Sequence, residues 1–130
     1  MVPQLNTIEV ITLFVDDIGT SKSFYQNIFE PEIVYEDPVS AVMTFGGIMV
    51  NLLQATEAPE LVTPLSVAPS SSGSRILLTI RVEDVNATHA DLIERGVTFL
   101  NGPIDRPWGR RTAAFADPSG HAWEIAQELS

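Results

Sequence analysis

Few side chains in this sequence can do chemistry, and the strongest candidate lies close to the C-terminus. Glu124 stands in the run Ala122-Trp123-Glu124-Ile125-Ala126-Gln127. Strand alternation puts Ala122, Glu124 and Ala126 on one face, so a carboxylate would rise from a floor of small residues. Two readings stand for it. It binds a cationic or hydrogen-bonding group, or serves as a general base with its pKa raised by burial; otherwise it is a structural carboxylate paired with Arg81, Arg110 or Arg111. The turn Trp108-Gly109-Arg110-Arg111 offers an indole to lie over a ligand and an arginine, Arg111, to bind a ligand carboxylate. Equally, Trp108 packs on its own module and the arginine meets surface acids. Met49, Asn51 and Leu53 share a strand face, where the Asn51 amide either orients a ligand or sits at a solvated rim.

The two histidines are weaker candidates. His89 falls four residues after Val85 on a predicted helix, which should lie behind a sheet, and His121 alternates away from Glu124. With no cysteine, disulfides, thiolate nucleophiles and Cys-ligated metals are excluded. No Gly-x-Ser-x-Gly, glycine-rich phosphate loop or His-Glu-x-x-His occurs.

The elements that must position these residues follow from periodicity. Thr7 to Val15 is β-branched and predicts a strand. Asp17 is a candidate N-cap for a helix to about Phe29, whose inward face carries Ile18, Tyr25, Ile28 and Phe29 with Phe24 beside them, and Pro31 stops it. Strands are expected at Ile33 to Glu36, Ala41 to Phe45 and Ile48 to Gln54, with Gly46-Gly47 as a hairpin turn. The segment 55–74, rich in Pro, Ser, Thr and Glu, reads as a linker or mobile flap. Beyond it come a strand at Ile76 to Val82 and a helix capped by Asp84 that runs to about Arg95, with Val85, Leu92 and Ile93 inward. Gly96 ends that helix, and strands follow at Val97 to Leu100, Arg111 to Ala116 and Ala122 to Gln127. The order strand, helix, three strands thus occurs twice, and Val15-Asp16-Asp17-Ile18 recurs as Val82-Glu83-Asp84-Val85, 82 − 15 = 67 residues on. Neither half alone buries both faces of a curled sheet, so pairing of the halves is expected.

Bulk properties narrow the partners. At 130 residues and 45% apolar content the chain can bury the core of one ordinary domain. No apolar run is long enough to span a membrane. The stretch Met1 to Asn6 lacks the basic-then-apolar order of a signal peptide, so a cytoplasmic location is expected. Seven basic against 17 acidic residues give a net charge of −10, which disfavours nucleic acid and anionic membranes and suits a cationic ligand; plain solubility is the other reading.

Three stretches resemble the vicinal-oxygen-chelate superfamily of glyoxalases, bleomycin-resistance proteins and extradiol dioxygenases. VDDIGTSKSFYQNIF, Val15 to Phe29, is similar to its opening motif, and RPWGRRTAAFADPSGHAWEIAQ, Arg106 to Gln127, to its closing one. VEDVNATHADLIERGV, Val82 to Val97, matches the second helix with its glycine terminator. The resemblance implies an α+β fold: two βαβββ modules forming a curled mixed sheet with a U-shaped cleft, helices on the outer face, and often a homodimer. Residues 1–130 then form a single domain, with modules at about 5–54 and 75–128 joined by 55–74. It also implies that Val10, Thr12, Leu77 and Thr79, related in pairs by the same offset of 67, line the cleft; ordinary strand residues are the alternative.

Metal-dependent members take a His or Glu ligand from each of four strands, and the implied positions here are Val10, Asn51, Leu77 and Glu124. Aliphatic side chains have no lone pair to give, and a catalytic divalent ion generally needs three protein ligands. No metal and no other cofactor is therefore expected. The expected function is metal-independent, resistance-type binding of a small molecule at Val10, Thr12, Met49, Asn51, Leu77, Thr79, Trp108, Arg111 and Glu124. Two rivals stand beside it: a metal-free or atypical-metal lyase, isomerase or dioxygenase-like enzyme using Glu124, and a scaffold that keeps the fold and uses a dimer surface for protein contact.

Overall fold

The computed structural model describes residues 5–130; Met1 to Gln4, part of the stretch read for a leader, lie outside the described residues. The fold is α+β, built from two four-stranded mixed sheets, and the chain divides between Pro69 and Ser70 into two compact units.

In the first unit, β1 (Val10–Val15) runs parallel to β4 (Ile48–Gln54), and β3 (Ser40–Phe45) and β2 (Ile33–Asp37) continue the sheet antiparallel in the order β1-β4-β3-β2. Helix α1 (Ile18–Phe29) begins where the Asp17 carboxylate accepts from the Gly19 and Thr20 amides at 3.0 and 3.4 Å, and it packs across β3 and β4. Its inward face is Ser21, Tyr25 and Ile28; these cover Leu13, Val15, Ala41, Met43, Val50 and Leu52, all buried. Tyr25 stacks on Phe29, and Phe29 meets Phe45 edge-on.

The second unit repeats the plan. β5 (Leu77–Arg81) runs parallel to β8 (Ala122–Glu128), followed by β7 (Arg110–Ala116) and β6 (Phe99–Arg106) in the order β5-β8-β7-β6. Helix α3 (Val85–Glu94), capped by Asp84 on the Ala87 amide, buries Val85 and Leu92 against a sheet face carrying Ala113, Phe115, Trp123 and Ile125. One further device occurs in both units. The side-chain amide oxygen at the end of the parallel strand, Gln54 or Gln127, accepts from the first backbone N–H of the helix, Ile18 or Val85, at 2.9 Å. Strand end and helix start are thereby tied together where an unpaired donor would otherwise remain.

Several details differ from the sequence reading, most strand ends by only a residue or two. β1 starts at Val10 rather than Thr7, because its partner β4 starts only at Ile48 and the ladder ends with the bond from the Met49 amide to the Glu9 carbonyl. Ile93 points outward; Val85 and Leu92, seven residues apart, define the inward stripe, and Ile93 is rotated off it by about 100°. β6 runs to Arg106 instead of stopping at Leu100, since Gly102 and Pro103 are absorbed as irregularities in the β6–β7 ladder rather than ending it. The segment 55–74 is not featureless: it holds a 3-10 turn at Ala55–Glu57, the short helix α2 (Pro59–Val62) and a second 3-10 turn at Ser70–Ser72.

Candidate functional site

In each unit the helix covers one sheet face and the other carries the candidate residues. In the second unit the registers assemble cross-strand rows on that face. Thr79, Glu124, Ala114 and Asn101 form one row across β5, β8, β7 and β6, with Leu77, Ala122 and Ala116 on one side of it and Arg81, Ala126, Thr112 and Ile104 on the other. Glu124 is partly buried, and its Oε1 accepts a 3.0 Å hydrogen bond from the Thr79 hydroxyl. Ala114, Ala122 and Ala126 surround it, so the neighbours of the carboxylate on this face are methyl groups, with Ala114 and Ala126 buried.

The arginines divide differently from any single reading of the sequence. Arg110 lies on the Glu124 face but pairs with Glu128, at 2.8 Å. Arg111 alternates onto the α3 face, where Asp105 holds it through two bonds of 2.6 and 3.3 Å. That contact holds the Asp105 carboxyl below its ordinary pKa and lifts the guanidinium above its own. Of the sequence candidates on this unit, the structure therefore gathers Leu77, Thr79 and Glu124 on one face and sets Arg111 on the other. Among the described residues Glu124 has no cationic partner, and Thr79 is its hydrogen-bond partner.

Arg106 is a charged residue of this face that the sequence reading did not single out. Its Nε donates to the Thr112 hydroxyl at 2.9 Å and its Nη2 to Asn101 Oδ1 at 3.3 Å, so its head group lies on the Glu124 face. The one signal available was its place at the start of the Arg-Pro-Trp-Gly-Arg run; the register that turns it toward Thr112 depends on the irregular β6–β7 pairing. Trp108, in the β6–β7 turn, is 68% exposed. His121 bonds Asp117 through Nδ1 at 2.8 Å, with Asp117 buried in the turn before β8, and the His89 ring packs on Phe99.

In the first unit the face away from α1 holds a parallel arrangement. Thr12, Asn51 and Val42 form one row, with Val10, Met49 and Thr44 in the next and Phe14, Leu53 and Ser40 in the one beyond. The sequence candidates Val10, Thr12, Met49 and Asn51 thus share a face. Asn51 Oδ1 is shielded from solvent and has no hydrogen-bond partner. A buried acceptor left unpaired costs about 1–3 kcal/mol, which a donor on a bound molecule would recover.

Residues 7–125 match the family model described as Glyoxalase/Bleomycin resistance protein/Dioxygenase superfamily. The chain belongs to this superfamily. Among curated relatives it is 32% identical over 123 residues to the uncharacterized protein YraH of Bacillus subtilis, covering 92% of this chain and 96% of YraH. A glyoxalase-related enzyme from Fulvimarina pelagi superposes with a TM-score of 0.82 at 26% identity, over 95% of this chain and 89% of that one. TnmS3, an antibiotic binding protein from Streptomyces sp. CB03234, does so with a TM-score of 0.72 at 25% identity, over 96% and 98% of the two chains.

The metal-dependent members of this superfamily imply a ligand set, and the residues at its positions in this chain do not fit an ion. At the implied positions Val10 and Leu77 offer no donor atom, Asn51 offers an amide oxygen, and the Glu124 carboxylate is engaged by a hydroxyl. Among the described residues no group of three His, Asp or Glu side chains is placed to hold an ion. One carboxylate and one neutral amide fall short of the three His or carboxylate ligands a divalent catalytic ion generally takes.

Proposed function

We propose that this chain is a metal-independent small-molecule-binding protein of the resistance type, working in the cytoplasm as a homodimer whose residues 1–130 form one domain, with the segment 55–74 as its linker or flap. The observation that carries the proposal is the state of Glu124: a partly buried carboxylate among alanines, positioned by Thr79, with Arg110 and Arg111 committed to other acids and, among the described residues, no ion pair to Arg81 or Arg106. A charge placed like that attracts a cation from outside the protein, because desolvation and a missing counter-charge both raise the gain from supplying one. The net charge of −10 adds a long-range pull in the same direction.

The ligand-binding set is Val10, Thr12, Met49, Asn51, Leu77, Thr79, Trp108 and Glu124. Asn51 supports it with its unpaired buried oxygen, and Trp108 with an indole open to stacking. Arg111 is left out, because Asp105 already occupies its guanidinium on the other sheet face. The likeness to TnmS3, an antibiotic binding protein, over nearly the whole of both chains supports a binding role, while the likeness to a glyoxalase-related enzyme keeps the enzymatic reading as the alternative. Titration calorimetry against cationic glycopeptide antibiotics tests the reading. Saturable binding that Glu124→Ala abolishes is expected; no heat at millimolar ligand in either protein overturns it.

A further inference from the structure

Besides Arg81 and the Arg110–Glu128 pair, the face that carries Glu124 has a further charged group, and its placement bears on what the ligand must look like. Arg106 stands beyond the far side of the alanine floor. Its guanidinium is clamped by two side chains of the same sheet: the Thr112 hydroxyl, whose residue is 1% exposed, and the Asn101 amide oxygen. Both acceptors are neutral, so the positive charge is oriented but not balanced, unlike Arg110, which faces Glu128, and Arg111, which faces Asp105. Two of its five N–H groups are engaged, which leaves an edge of the fork for a planar oxyanion.

Asn101 lies in the same cross-strand row as Glu124, two strands away, with Ala114 between them. At about 4.8 Å per strand the two ends of the row are about 10 Å apart. The residue between them, Ala114, is buried and ends in a methyl group, so no long side chain of the row stands between the two ends. The immobilised guanidinium has already given up the rotamer freedom that anion binding would otherwise cost.

We infer that Arg106 is an anion-binding group for the same ligand, and that this face selects a dipolar molecule bearing an amine for Glu124 and a carboxylate for Arg106, their separation scaled by the about 10 Å from Glu124 to Asn101, which holds the guanidinium. The inference rests on the proposed binding role of Glu124 and adds to it a ligand class, a spacing and a residue. Arg106 has a structural duty as well, since its bond to Thr112 joins β6 to β7, so the test must read something that duty alone would not move.

That readout is the dependence of affinity on the second charge and on chain length. Amide chemical shifts of the protein are followed while octylamine, octanoate, aminohexanoate, aminooctanoate and aminododecanoate are added in turn. Aminooctanoate is expected to bind at least about tenfold more tightly than octylamine, and more tightly than either the shorter or the longer amino acid. Arg106→Gln should remove that advantage while leaving octylamine affinity within about twofold, and Arg106→Lys should keep part of it. Glu124→Gln should weaken octylamine and aminooctanoate alike. If octylamine binds through Glu124 but the carboxylate adds nothing at any chain length, the role given to Arg106 is wrong and the cation site stands. If no amine perturbs the Glu124 strand, both the cation site and the dipolar ligand fall.

Discussion

Glu124 differs from an ordinary strand carboxylate by what surrounds it. Removing its charge removes the attraction and leaves the shape, so Glu124→Gln should lower affinity for a cationic ligand by about 10- to 100-fold, as expected for a hydrogen bond to a charged group. Thr79→Val should cost less, about fivefold, since it loosens the carboxylate without removing it. Calorimetry on both variants checks the order. A second carboxylate is set by its hydrogen bonds. Asp37 accepts from the Val39 amide at 2.9 Å and from the Tyr35 hydroxyl at 2.8 Å, and these hold its pKa below the usual value while the Tyr35 phenol is pushed up. Because the folded state favours the ionised form, this stabilisation is complete above about pH 4 and is lost as the pH falls through the lowered pKa. Tyr35→Phe should move the Asp37 midpoint, followed by carbon-detected NMR, back up toward the ordinary carboxylate value.

The two units share a solution for joining a parallel strand pair through a helix. An Asp caps the helix, and a Gln at the end of the partner strand takes the first helical N–H. Asp84→Ala should lower stability by about 1 kcal/mol, measured by urea denaturation, because it leaves the Ala87 amide unpaired in the first turn. The β6–β7 pair depends on a different residue. Gly102 has φ +87°, and a Cβ there would meet the Thr112 carbonyl and stand 2.7 Å from the Ala113 Cα. Gly102→Ala therefore strains the backbone and forces the strands apart. A loss of at least about 2 kcal/mol is expected in the same measurement. The variant should also disturb Arg106, whose bond to Thr112 crosses that ladder.

For the molecule as a whole the excess of acid acts at long range. A net charge of −10 on a chain of 130 residues produces a field that accelerates the approach of cations and is screened beyond about 10 Å at 0.1 M salt. The association rate of a cationic ligand, measured by stopped flow, should fall several-fold between about 0.02 M and 0.5 M salt. The dissociation rate, governed by contacts at the site, should change much less. No helix among the described residues is long and apolar enough to cross a membrane.

Much of this was legible in the sequence. Strand alternation, helical spacing and the two Asp caps are local, and they sufficed to lay out strand, helix and three strands twice and to place Glu124 between alanines. The repeat of Val-x-Asp at an offset of 67 carried the same information between the halves. The partners of the charges were not legible. Arg106, Arg110 and Arg111 lie within six residues, yet one meets Thr112 and Asn101, one Glu128 and one Asp105. Which acid an arginine meets depends on the strand opposite and on its register, and the register of β6 is reset twice along its length. Only folding brings Glu128 and Asp105 to two of those arginines and leaves Glu124 without one.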